Sequence, residues 1–233
     1  MPLKDYNQFI EFIKDKTIAI VGPAEMTNSL GNEIDSHDLV VRINRYQEIK
    51  DNNKYGKKTN IFCFCFWEKI GLIPIDKNNK PDWVLNTYNL KYIVDCSKSF
   101  HNNINIFKDV NFSEFPNYIY SDINYPTSGF CVLTNFLYLI EKNIISKLSI
   151  YGMSLNLTSY NNKYHSKSSP DNISIHNFYP EREYLKMFYN KLPIEIKKII
   201  YIENNCFKDF LEGKIENPKK FSKKIVFKNK KII

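Results

Sequence analysis

The chain reads as a single α/β domain of the Rossmann-like type, a mostly parallel sheet with helices on both faces. Three observations predict that class. Short apolar runs rich in β-branched residues recur at Ile18–Val21, Leu39–Ile43, Ile61–Phe66 and Leu148–Tyr151, the composition of strands buried on both sides. Between them lie stretches with apolar residues at helical spacing, and strands alternating with helices make parallel sheets. At 233 residues the length suits one domain with a sizeable core.

Taken in order, Tyr6–Lys14 predicts a short amphipathic helix, and Ile18–Val21 a buried strand closed by Gly22. Leu39–Ile43 predicts the second strand and Ile61–Phe66 a third. Trp83–Leu85 and Tyr92–Val94 are short runs of β-formers. Phe130–Glu141 predicts a helix opened by Pro126-Thr127-Ser128-Gly129, in which Thr127 or Ser128 is a candidate N-cap. Leu148–Tyr151 is the next strand, Glu181–Leu192 a helix and Lys198–Ile202 a final strand. Residues 1–215 are expected to form the domain and 216–233 a basic, hydrophobic tail.

The formal charge of +8 implies anionic partners. Much of it lies in the tail, where Lys219, Lys220, Lys223, Lys224, Lys228, Lys230 and Lys231 alternate with Phe221, Ile225, Val226, Phe227 and Ile232. Such a segment is either a solvated terminus or a peripheral patch for an anionic membrane, each Lys contributing about 1 kcal/mol near the surface. No basic helix with heptads, RNP-like strand or Cys/His finger points to specific nucleic-acid recognition. No apolar run reaches about 18 residues and no secretory signal is evident, so a soluble, cytoplasmic protein is expected. Five scattered cysteines without a C-x-x-C pair read as reduced core thiols.

Phosphate cradles of the G-x-G-x-x-G and G-x-x-x-x-G-K-S/T kinds are missing, which argues against a dinucleotide enzyme or a P-loop NTPase. D-x-D is missing too. Nucleotide-diphosphate-sugar transferases of this architecture mostly hold a divalent metal with such carboxylates, whereas a donor with a single phosphate needs less neutralisation. No metal or other cofactor is expected. The polar block Glu33-Ile-Asp-Ser-His-Asp-Leu-Val-Val-Arg-Ile-Asn44 is denser than a strand-turn-helix unit requires. Buried Arg42 and Asn44 need partners, and a phosphate or ribose at a strand's carboxyl end is one source; for Arg42 an ion pair with Asp35 or Asp38 is the alternative. Of the four histidines, His101 reads as surface and His37 as a structural hydrogen-bonding residue. His165 and His176 fall in the polar stretch Tyr160–His176, which has the composition of an active-site loop.

In order, the chain contains Val21-Gly22, Glu33-Ile34-Asp35-Ser36-His37-Asp38, Arg42-Ile43-Asn44 and Gly56-Lys57-Lys58-Thr59; then Pro126-Thr127-Ser128-Gly129 with Ile150-Tyr151-Gly152; then Lys163-Tyr164-His165-Ser166; and last His176 followed by Glu181. This series resembles the four sialylmotifs of the animal-type sialyltransferases, glycosyltransferase family 29, over roughly Thr17 to Tyr184. Two departures stand out. Pro23-Ala24-Glu25 occupies the place of the family's nucleotide-contacting Asn or Ser, for which Asn28 is a substitute. Ile18 and Ile145 occupy the places of a disulfide found in secreted members, as suits a reducing compartment.

The resemblance implies a variant GT-A-like sialyltransferase fold and an inverting, metal-independent transferase. It would move a 2-keto-3-deoxy acid sugar of the sialic acid type from a cytidine-monophosphate (CMP) donor to a hydroxyl of a glycan or glycolipid. In a bacterial or viral setting that glycan would belong to lipopolysaccharide or capsule. The resemblance implies His176 as catalytic base and His165 as the residue on the donor phosphate. It places Gly22, Asn44, Thr127, Ser128 and Gly129 at the donor, with Arg42, Tyr164 and Glu181 in support and Glu183 a competitor of Glu181. The same chemistry with CMP-Kdo or another nonulosonate is the alternative, as is a catalytically silent nucleotide- or glycan-binding module.

Overall fold

The computed structural model of the chain describes residues 6–43, 51–64, 92–95, 111–114, 123, 126–158 and 178–218. Its strands are β1 (Thr17–Val21), β2 (Leu39–Ile43), β3 (Ile61–Phe64), β4 (Tyr92–Asp95), β5 (Asn111–Glu114), β6 (Lys147–Tyr151) and β7 (Ile200–Ile202). They form one seven-stranded sheet in the order β5-β4-β3-β2-β1-β6-β7, and every neighbouring pair is parallel. The helices are α1 (Tyr6–Ile13), α2 (Gly31–Ser36), α3 (Asn52–Tyr55), α4 (Ser128–Glu141), α5 (Phe178–Lys191), α6 (Ile194–Lys198) and α7 (Asn205–Leu211). The predicted single α/β domain with a Rossmann-like parallel sheet is the observed one.

Alternation along the strands sorts their side chains between two cores. Ile18 and Ile20 of β1, Leu39, Val41 and Ile43 of β2, and Leu148 and Ile150 of β6 enter the larger core, with α1, α4, α5 and α7. Helix α4 is buried almost all round, and its Phe130, Phe136 and Leu137 are at most 1 % exposed. Burial of each such side chain contributes roughly 1.5–3 kcal/mol. The smaller core takes Ala19 and Val21 of β1, Val40 of β2 and Tyr151 of β6, against Met26, Ile34 of α2 and Tyr55 of α3.

That second face is closed by polar bonds more than by area. Asp38 accepts from Thr17 N at 2.9 Å and Thr17 Oγ1 at 2.8 Å, which joins the amino ends of β1 and β2. Those two bonds hold its carboxyl below the ordinary carboxylate value. His37 has its Nδ1 at 3.0 Å from Glu33 O and its Nε2 at 2.9 Å from Ser149 Oγ, so its ring ties α2 to β6. Asp35 accepts from the Lys57 and Lys58 amides, at 3.0 and 2.9 Å, beside Gly56. Gly56 has φ +68°, and a Cβ there would stand 2.4 Å from Asp35 Oδ1, so glycine is required. Tyr151 donates to Glu33 Oε1 at 2.7 Å, and burial together with that carboxylate pushes its phenol pKa up.

Arg42, 2 % exposed, donates from Nε to Lys58 O at 3.0 Å and Thr59 Oγ1 at 3.1 Å, and from Nη2 to Tyr55 O at 2.7 Å. The hydrogen-bond demand that the sequence suggested a ligand would meet is met here by the α3–β3 connection. Asp35 and Asp38, its candidate ion-pair partners, take the Lys57 and Lys58 amides and Thr17.

Several boundaries differ from expectation. The last strand is Ile200–Ile202 rather than Lys198–Ile202, because Pro193 opens the short helix α6, which runs through Lys198. Helix α5 begins at Phe178, ahead of Glu181, since Pro180 is tolerated in a first turn. The run Tyr92–Val94 is a strand, whereas Trp83–Leu85, Cys65 and Phe66 lie outside the described residues. Among the described residues no helix is long and apolar enough to cross a membrane. Ile18 and Ile145 are both buried, as are the free thiols Cys63 and Cys131.

Replacing Arg42 by Met leaves the Tyr55 and Lys58 carbonyls without their charged donor, and should destabilise the protein by about 1–3 kcal/mol. Urea denaturation measures that loss; stability equal to that of the unsubstituted protein would remove Arg42 from the folding role.

Candidate functional site

Strand order reverses between β1 and β6, where β2 lies on one side of β1 and β6 on the other. In open parallel sheets, ligands bind outside the carboxyl ends of the strands at such a switch point. Here the two carboxyl ends are laced together. Gly22 N donates to Tyr151 O at 2.9 Å and Ala24 N to Gly152 O at 2.7 Å. The amide of Ala24 is thus turned onto the β6 loop, and Asn28 is exposed on the surface. Gly152 has φ +55°, and a Cβ there would meet Gly22 O at 2.7 Å.

Met153, 3 % exposed, fills the space between the two strand ends. A Cβ on Gly22 would stand 2.0 Å from its Sδ and 2.6 Å from Gly152 O, and a Cβ on Gly129 would stand 3.1 Å from its Cε. Both glycines therefore have a packing reason, the Met153 thioether that fills the space beside them. The same contacts place the amino end of α4 at the carboxyl edge of the sheet.

Helix α4 opens on Thr127, whose Oγ1 accepts from Phe130 N at 3.1 Å as an N-cap. Thr127 is itself gripped from α5. Its N donates to Glu181 Oε1 and its Oγ1 to Glu181 Oε2, both at 2.7 Å. Glu181 is fully buried, and burial pushes its pKa up to about 7, although the two Thr127 bonds and the Arg182 charge pull it down. Glu183 is exposed and accepts from Asn217 Nδ2. Glu181 is thus the carboxylate that orients the turn, and Thr127 holds that turn in place. Ser128 and Gly129 follow in the first turn, where amides point outward along the helix axis and the dipole favours an anion.

The loop after β6 completes the edge. Leu155 and Asn156 have φ +45° and +63°, a conformation that costs non-glycine residues on the order of 1–3 kcal/mol each. Leu155 is 4 % exposed, and its carbonyl accepts from Arg182 Nη1 at 3.4 Å. Thr158 is held by Asn204 Nδ2 at 3.2 Å on its hydroxyl, and by Ser154 Oγ at 3.3 Å on its carbonyl. Glu203, half-buried beyond β7 with its pKa raised by burial, accepts from Gly152 N at 3.4 Å. Met153, Arg182 and Glu203 were not singled out in the sequence, because nothing in their spacing marks them; only the fold brings them to this edge.

Three of the four sequence motifs therefore supply residues to one place: Gly22 from the first, Thr127, Ser128, Gly129 and Gly152 from the second, and Glu181 from the last. Arg42, on β2, sends its side chain to the smaller face, onto the α3–β3 connection. Asn44, Tyr164, His165 and His176 lie outside the described residues.

No protein-family model matches the sequence, and no curated protein matches it. Among solved structures the chain is similar to a mammalian sialyltransferase in complex with Gal-β-1,3-GalNAc-ortho-nitrophenol. The TM-score is 0.44 at 13 % identity, over 85 % of this chain and 72 % of that one. A second mammalian sialyltransferase structure gives a TM-score of 0.42 at 16 % identity, over 81 % and 68 %.

The folded value of Glu181, about 7, lies above its ordinary 4.5. The stability linked to it is complete below pH 4.5 and falls as pH rises through 7. Glu181→Gln should abolish that slope, read as urea midpoints at several pH values; an unchanged slope would assign it elsewhere. Gly22→Ala should lower stability by about 1–3 kcal/mol. Adding Met153→Ala should restore part of this, since it removes the Sδ and Cγ contacts at 2.0 and 2.9 Å; no recovery in the thermal midpoint would refute the wedge.

Proposed function

We propose that the chain is an inverting, metal-independent glycosyltransferase that moves a 2-keto-3-deoxy acid sugar of the sialic acid type from a CMP donor to a glycan hydroxyl. The observation that carries this is the Glu181–Thr127 contact at 2.7 Å. It joins the turn of the second motif to the residue that follows the last motif's histidine by five positions, at the carboxyl edge of a parallel sheet.

The chemistry needs three things from the protein. An anion site must take the donor's phosphate or carboxylate, and the first turn of α4 offers amides and a positive helix end. A base must remove the acceptor hydroxyl's proton near neutral pH, and a histidine is suited to that. The departing CMP needs its new negative charge balanced as the anomeric carbon–oxygen bond breaks and the acceptor oxygen bonds on the opposite face. His176 is assigned the proton and His165 the phosphate, with Tyr164 and Asn44 as further donor contacts. Glu181 and Arg42 do not touch substrate in this scheme; the one sets the turn, the other the frame. A cytoplasmic enzyme making a bacterial or viral surface glycan fits this donor. CMP-Kdo or another nonulosonate would use the same groups.

A second reading, a silent nucleotide-binding module, is favoured by one observation: the Ala24 amide, in the segment where the family contacts the nucleotide, is spent on Gly152 O. Release of CMP from CMP-sialic acid separates the two. With His176→Ala, turnover should fall by about two to four orders of magnitude with CMP affinity little changed. With His165→Ala both should fall. Calorimetric titration with CMP beside initial rates measures this, and near-native turnover of His176→Ala would overturn the assignment. Turnover should also persist in excess EDTA, and its complete loss, restored by manganese, would end the metal-free mechanism.

A further inference from the structure

Thr127 spends both of its hydrogen-bond donors inside the protein. Its N and its Oγ1 donate to different oxygens of Glu181, each at 2.7 Å, while Oγ1 also accepts from Phe130 N at 3.1 Å. The hydroxyl can donate to Oε2 only while that oxygen carries no proton. A carboxyl protonated on Oε2 must donate back, because Oε1 is held by an N–H that cannot accept. Oγ1 then receives both Oε2–H and Phe130 N–H, and its own proton turns to the remaining staggered position about Cβ–Oγ1.

One proton thus changes the opening turn of α4 in two ways. It cancels a negative charge that sits against the amide of the N-cap residue, and it releases a hydroxyl donor. Both changes favour an incoming anion, since like charges repel strongly where water is excluded. Glu181 is fully buried, and burial brings its pKa up to about 7, so the proton is exchangeable near neutral pH. The charged and titratable groups around it are otherwise engaged. Arg182, next along α5, pulls that pKa down and donates to Leu155 O and Pro218 O at 3.4 and 3.0 Å. Glu183 is exposed and accepts from Asn217, and Tyr184 packs edge-on against Phe130. The loop from Gly152 to Thr158 carries no titratable side chain.

We propose that Glu181 and Thr127 form a one-proton switch at the opening turn of α4: a proton taken from solvent onto Oε2 reverses the bond to the Thr127 hydroxyl, and an anion enters the turn together with that proton. On the transferase reading the anion is the donor's phosphate or carboxylate, and to that extent the proposal rests on that reading. Linkage fixes the sign. A bound anion raises the pKa of the carboxyl above its value in the free protein, which is about 7. Affinity is therefore flat at lower pH, and above that value falls by up to about ten-fold per pH unit.

The test is calorimetric titration of the full chain with two anions that do not titrate in this range, inorganic sulfate and the methyl phosphodiester of CMP. In buffers of different ionisation enthalpy, binding at about pH 8 should take up more than about half a proton per anion, and at about pH 6 close to none. Glu181→Gln offers an amide N–H to Thr127 Oγ1 where the protonated oxygen would, so it should take up no proton and show one affinity at every pH. A flat profile in the unsubstituted protein overturns the switch, as does failure of both anions to bind. A slope that survives in Glu181→Gln belongs to other groups, His165 and His176 among them, and overturns it too. If that variant does not fold, the carboxyl carbon resonance of Glu181 in the unsubstituted protein decides: its midpoint should move to higher pH in saturating sulfate, and an unmoved midpoint refutes the proposal. Sulfate binding with the slope, and no binding of the cytidine diester, keeps the switch and removes the transferase reading.

Discussion

The Glu181 carboxylate, shut away from water and receiving the amide and hydroxyl of Thr127, is the interaction on which the candidate site depends. A buried carboxyl with one donor missing would be costly, so the pair is stable only as a pair. Its geometric effect reaches further than its energy. It fixes where α4 begins relative to α5, and with α4 comes Gly129 against Met153, and with Met153 the closed ends of β1 and β6. Arg182, next in the chain, extends the same fastening to Leu155 and Pro218. One turn of helix thus aligns four separate segments along a single edge.

The other face of the sheet solves a different problem. Helices α2 and α3 have six and four residues, too few to bury much apolar area. Polar bonds stand in for it: Asp38 on Thr17, His37 between Glu33 and Ser149, Asp35 on the Lys57 and Lys58 amides, Arg42 on two carbonyls. Each net contribution is about 1 kcal/mol, and removing His37 or Arg42 costs more because their partners Ser149, Thr59 and the Tyr55 carbonyl are buried. Directional bonds also set register, which a small apolar face does weakly.

Strands β1, β2 and β6 were legible in the sequence because a parallel strand buried on both sides is a continuous apolar run with a sharp polar or glycine end. Helix α4 was legible from Pro126-Thr127-Ser128-Gly129, whose capping Thr127 is seen bonding to Phe130. Strand β5 was not read, because Asn111-Phe-Ser-Glu114 carries no apolar run, and it occupies the sheet edge where less burial is demanded. Helices α2, α3 and α7 were not read either; they are shorter than the window over which helical periodicity shows. The site was half legible. Density of polar residues between Glu33 and Asn44 was plain, but a hydrogen-bond donor in a sequence does not declare its acceptor, and Arg42 found its acceptors in the protein itself. Glu181 and Glu183 look alike in sequence, and only packing makes one buried and the other exposed.

The central claim is that Glu181 and Thr127 act as one unit in setting the opening turn of α4, and a double-mutant cycle of Glu181→Gln and Thr127→Val tests it most directly. Stability and CMP affinity would be measured for the unsubstituted protein, both single variants and the double. The pair predicts a coupling of about 0.5–3 kcal/mol in stability, the double variant losing much less than the two singles together, with CMP affinity following the same pattern. Strictly additive losses in both quantities would contradict it.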